Sequence, residues 1–192
     1  MLRRLPTLLL VALLAVVAAA CGNRTSDPIT EGETEGIYVQ VAGLKYQVQT
    51  SRQLNPLTSD DQSYLQGLAP EDARLRPDEE WFAIFMRVES DDPENPPLPS
   101  AVDFEIRDTQ ENVYTPVEFV QARDRNTFVY QSRIVAPGDT QPLPDTPAGE
   151  RPPYGELILF KVRRFSLDNR PLELIIKSRQ VPQTEGTVNL DV

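Results

Sequence analysis

Cys21 is the one thiol in 192 residues, and the chain has no histidine. Ser-His-Asp and Cys-His nucleophilic systems are therefore excluded, as are histidine-ligated zinc and copper sites. Lys45, Lys161 and Lys177 are the candidates for a Ser-Lys dyad, but each lies within an apolar alternating run and none adjoins a nucleophile motif. No glycine-rich phosphate loop is present. What remains is carboxylate and guanidinium chemistry. Asp91, Asp92 and Glu94 share one polar stretch whose oxygens suit a hard cation, without the spacing of an EF-hand loop. Two acids across a groove could cleave a glycosidic bond. Arg163, Arg164 and Arg170 form the one basic cluster and could receive a carboxylate or phosphate, or simply pair with surface acids. The expectation is no catalytic residue, no bound metal and no cofactor, with the acidic group as a candidate cation site and the arginines as a candidate anion site.

The chemistry of Cys21 is set by the residues on its N-terminal side. Arg3 and Arg4, an apolar run over residues 8–17 and then Ala18-Ala19-Ala20 have the three-part layout of an export signal. The run is shorter than the ~20 apolar residues of a membrane-spanning helix. Ala18, Ala19, Ala20 and Cys21 resemble the bacterial lipobox, in which an aliphatic residue and two small residues precede a lipid-modified cysteine. That resemblance implies cleavage before Cys21, a thioether-linked diacylglycerol on its sulfur and a location on the extracytoplasmic face of the cell membrane. Two acyl chains, at about 0.8 kcal/mol per buried CH₂, hold far more firmly than one myristoyl chain.

Removal of residues 1–20 takes two arginines and no acid, leaving 17 basic and 29 acidic groups and a net charge near −12. Nucleic acid is not an expected partner of so acidic a chain. Membrane lipid through Cys21 and a protein of the cell envelope are.

The elements that position these groups lie C-terminal to Cys21. Residues 21–36 are nearly free of apolar side chains and read as a lipidated cysteine with a flexible tether. A chain of about 15 residues has a typical span of about 20 Å and a limit near 50 Å. Alternation then sets in. Ile37, Val39 and Val41 share one face of a strand, and Leu44, Tyr46 and Val48 share another. Residues 80–90 place Phe82, Ile84, Met86 and Val88 on one side and Trp81, Ala83 and Phe85 on the other, the pattern of a central strand apolar on both faces. Residues 101–107 and 113–119 form a hairpin about a polar turn. Further strands are predicted over 127–135, 156–165, 171–178 and 187–192, and one helical turn over 59–67 with Ser59 or Asp60 as N-cap. The 18 prolines fall mainly in connections. About eight strands and no sustained helical period indicate an all-β sandwich or barrel over residues 37–192.

The runs LRPDEEWFAIFMRVES, FEIRDTQENVYTPV and APGDTQPLPDTPAG leading into GELILFKV are similar to the immunoglobulin-like domains of small bacterial lipoproteins. The matching parts are the Pro77-Asp78 turn, the strand through residues 82–89, the acid-containing turn at 108–114, the Pro137-Gly138 turn and the strand at 157–162. Asp78 stands where the family has glycine, and Arg163-Arg164 where it has proline. The resemblance covers residues 37–178 and implies an immunoglobulin-like β-sandwich without bringing catalytic residues. Two classes of function are compatible with it. The first is a non-enzymatic binding or interaction module of the envelope. The alternative is a carboxylate-based envelope enzyme or ligand sensor acting on glycan.

Overall fold

The computed structural model describes residues 27–90, 92–120, 126–180 and 183–190. The fold is all-β, with two sheets facing each other across one core. The first sheet has the order β1 (Glu31–Gly32), β12 (Glu185–Leu190), β11 (Leu172–Lys177), β6 (Asp103–Arg107) and β7 (Val113–Tyr114). The second has the order β10 (Glu156–Arg163), β4 (Glu79–Glu89), β3 (Leu44–Gln53) and β2 (Tyr38–Val41), with β9 (Thr140–Gln141) also paired to β4. A ribbon of β5 (Leu98–Pro99) and β8 (Ile134–Val135) closes one end. Three short helices complete the described residues: α1 (Ser59–Tyr64), α2 (Pro147–Glu150) and α3 (Arg164–Asp168).

Alternation explains the first layer. Phe104, Ile106, Leu172, Leu174, Ile176, Val188 and Leu190 point inward and are buried against Val39, Val41, Tyr46, Val48, Phe82, Ile84, Met86, Ile158 and Phe160 of the second sheet. Apart from Ile175, their outward neighbours within the long strands are polar, and Lys177 Nζ pairs across strands with Glu105 at 2.6 Å. The second sheet has a further core on its other face. There Trp81, Ala83, Phe85, Leu157 and Leu159 lie beneath Tyr64, Leu65, Leu68, Leu75, Val117, Phe119 and Phe128, which come from α1 and irregular chain. β4 thus packs on both faces, as its sequence predicts, and pairs with β3 and β10 over its length.

Several elements differ from the sequence reading, among them the second strand of the hairpin predicted over 113–119, which is confined to Val113–Tyr114 before the Val117 N–H donates to the Leu159 carbonyl at 2.8 Å. Among the described residues twelve strands stand in place of about eight, because five of them are two-residue pairings too short to show a period. Residues 127–135 do not form one strand. Val129 bridges Leu157 and Tyr130 donates to the Leu157 carbonyl at 2.8 Å, whereas Ile134–Val135 pairs with β5, so the segment divides its bonds between two partners. The N-cap of α1 is Thr58, without a side-chain bond, and neither Ser59 nor Asp60 fills that role. Ordered structure also begins upstream of residue 37. β1 runs parallel to β12, Thr187 donates to the Thr30 carbonyl at 2.8 Å, and Gln40 donates to the Ile29 carbonyl at 2.6 Å. Gly32 permits this approach, since a Cβ there would lie 3.3 Å from Val39.

Candidate functional site

Two adjoining clefts open where the layers part at the start of β6 and β10. The first, of about 230 Å³, is lined by Val102, Phe104, Pro116, Val117, Phe119 and Leu157 among other apolar residues, with Tyr130 and Ser132 at its rim. The second, of about 330 Å³, shares Val129 and Ser132 with it and is lined also by Asn126, Gln131, Arg133 and Glu156. Glu156 lies on the face of β10 that carries Ile158, Phe160 and Val162, which brings its carboxyl to the end of the interlayer core.

The carboxyl is held on one side only. Gln141 Nε2 donates to Glu156 Oε2 at 2.6 Å, and the Gln131 N–H approaches the same oxygen at 3.5 Å. Oε1 has Arg133 Nη2 at 3.6 Å, beyond good hydrogen-bond length. Burial pushes the pKa of Glu156 up, against the opposing effects of Gln141 and Arg133. Behind it stands a buried polar network. Gln141 also donates to the Gln131 carbonyl at 2.8 Å and accepts from Ser100 Oγ at 2.9 Å; the Ala101 N–H donates to Tyr46 Oη at 2.7 Å, and Tyr130 Oη donates to the Ala101 carbonyl at 2.9 Å. Burial raises the pKa of both tyrosines, so both stay protonated and act as fixed hydrogen-bonding groups.

A third cleft, of about 490 Å³, lies outside the second sheet between α1 and the chain at Arg151, Pro152 and Pro153, with Phe128 and Arg52 in its wall. Arg52 reaches this side because of a bulge in β3 between Val48 and Thr50, which shifts the later residues to the opposite face. Its guanidinium pairs with both Asp61 oxygens and stands 6.0 Å from the Tyr64 and Phe85 ring centroids.

The described residues among those singled out by sequence lie apart from these clefts. Cys21 and Asp91 are outside the described residues. Asp92 Oδ1 accepts from the Glu94 N–H at 2.9 Å in a local turn. Among the described residues no group of three or more Cys, Asp and Glu side chains is placed to hold a metal ion. Arg163 Nε lies 3.9 Å from Asp78, Arg164 Nε donates to Glu80 at 2.6 Å, and Arg170 Nε donates to the Leu167 carbonyl at 3.0 Å. Each arginine thus meets its own partner. The sequence reading passed over Glu156 and Arg133. For Glu156 the signal was parity, as an acid on the inward face of a strand otherwise apolar there.

No protein-family model matches the chain, and no curated protein matches it in sequence. Among solved structures it is similar to the yjhA protein from Bacillus subtilis, with a TM-score of 0.46 and 9% identity over 83% of this chain and 99% of that one. It is also similar to a "putative lipoprotein (ycdA)" from Bacillus subtilis subsp. subtilis str. 168, with a TM-score of 0.45 and 8% identity over 79% of this chain and 38% of that one. Likenesses this distant assign neither a fold type nor a function. No helix among the described residues is long and apolar enough to cross a membrane.

Proposed function

We propose that this chain is a lipoprotein held through Cys21 at the extracytoplasmic face of the cell membrane, and that its immunoglobulin-like domain is a non-enzymatic binding module. The observation that carries the binding reading is the pair of adjoining clefts, one apolar and one ending on a carboxyl with an oxygen left over. Apolar concavities with a few convergent polar groups and a perturbed acid are the usual form of a ligand site. At about 230 and 330 Å³ the clefts sit at or below the lower end of the ~300–1,000 Å³ range for small-molecule sites, which points to a small ligand. Glycoside hydrolysis uses two carboxyls flanking the bond, and Glu156 is the one carboxyl among the described residues lining these clefts. Binding is therefore preferred to glycan cleavage. An envelope protein partner is compatible with the same anchored display.

The test is titration of the purified chain with an uncharged apolar probe, indole, monitored by nuclear magnetic resonance. Binding that perturbs residues of the clefts and is lost in Val102→Trp, a substitution at a half-exposed rim position, supports the reading. No binding by the unsubstituted chain overturns it. The anchor is tested separately by mass spectrometry of the mature N-terminus. A diacylglyceryl mass on Cys21 that disappears in Cys21→Ser is expected.

A further inference from the structure

Glu156 and Arg133 face each other at the cleft floor without completing each other. Their closest approach is the 3.6 Å between Oε1 and Nη2. Among the described residues Arg133 makes one side-chain hydrogen bond, from Nη2 to the Thr140 carbonyl at 3.3 Å, which leaves Nε and Nη1 uncommitted. Glu156 keeps Oε1 as a free acceptor while Oε2 is fixed by Gln141, so the carboxyl is oriented before any ligand arrives. The two groups offer an anionic acceptor and a cationic donor side by side, and the apolar cleft begins next to them at Val129 and Ser132. An α-amino acid carries its ammonium and carboxylate on a single carbon, so its charges have the close spacing of such a pair, and its side chain departs from the same carbon.

We propose that the site binds a free α-amino acid with a large apolar side chain: the ammonium on Glu156 Oε1, the carboxylate on Arg133 and the side chain in the apolar cleft. This rests on the reading of the clefts as a binding site. The long Glu156–Arg133 contact is exchanged for two charge-assisted hydrogen bonds. A ligand ammonium also offsets the burial that disfavours the charged carboxyl. Among the described residues, the other polar groups of this cleft, Asn126, Thr127, Gln131 and Ser132, and the adjoining Gln141 and Tyr130 are uncharged.

Calorimetry of the full chain with L-phenylalanine, N-acetyl-L-phenylalanine, L-phenylalanine amide and indole tests the assignment. The free amino acid is expected to bind, and each blocked form to bind about ten- to a hundred-fold more weakly. Glu156→Gln should abolish the discrimination against the acetylated form, and Arg133→Gln that against the amide. The blocked ligands probe the unsubstituted protein, so the test stands even where a variant folds poorly. Equal binding of free and blocked forms overturns the assignment. Binding of indole without the free amino acid overturns it and leaves the cleft a binding site, whereas binding of neither overturns both.

Discussion

Asp61 ties α1 to the chain that leaves β3. One carboxylate oxygen accepts from the Asn55 N–H at 2.7 Å, and both accept from Arg52. The Arg52 guanidinium, followed by the Asn55 N–H and in spite of burial, holds the carboxyl below its ordinary value of 3.8. Asp61→Ala leaves the Asn55 N–H unpaired and the Arg52 guanidinium without its carboxylate, and about 1–3 kcal/mol of destabilisation is expected in urea titration. The sign of the pH dependence is that of a depressed acid: the contribution is complete above 3.8 and lost as pH falls through the lower folded value, so the difference between the two proteins should shrink in acid. Glu156 has the opposite sign. Its pKa is raised by burial from 4.5, so its contribution is complete below that value and declines as pH rises through the folded one. Glu156→Gln should therefore flatten the stability profile above pH 4.5, as read from thermal midpoints at a series of pH values. At this scale the sequence showed which chemistries were absent, while the parity that sets Glu156 on the face of Ile158, Phe160 and Val162 was present in it and passed over. It could not show that Arg133, 23 residues earlier and on an irregular segment, would meet that carboxyl.

Among the elements, β4 was the most legible, because apolar side chains on both faces of an eleven-residue strand leave it no position but a central one. Its two faces belong to different cores, so Phe85 supports only the outer one. Phe85→Ala is expected to cost about 3–5 kcal/mol, and hydrogen exchange should quicken over α1 and residues 65–75 more than over β11 and β12. The bulge in β3 was not legible, since an extra residue in a polar run, Gln49 between Val48 and Thr50, leaves no mark on alternation. Deleting Gln49 would turn Arg52 toward the interlayer core, away from Asp61. Loss of the folded state is expected for that deletion, and near-neutral stability for Gln49→Ala, by circular dichroism. The segment at 127–135 misled for the reason its bonds show: β-forming residues predict extended chain, but the choice of partner is made elsewhere in the molecule.

For the whole molecule, the first and last described strands, β1 and β12, belong to one sheet, an arrangement that the polar composition of residues 27–36 concealed. Glu35 accepts from the Ser51 N–H at 3.0 Å, and the Ile29 and Thr30 carbonyls each accept a backbone bond. A chain lacking residues 22–36 should lose about 2–4 kcal/mol in urea titration, as these and neighbouring bonds go and the β12 edge is uncovered.

β12 and β6 both run antiparallel to β11, with Lys177 opposite Glu185 on one side and Asp103 on the other. They therefore start at the same end, and β1, parallel to β12, starts there too. The incoming chain and the mouth formed at Val102 and Phe104 share that end of the molecule. Seven residues separate Cys21 from Ile29, and such a stretch cannot reach farther than about 28 Å. For a chain anchored through Cys21, that length bounds how far the end of the domain carrying the clefts can stand from the point of anchorage.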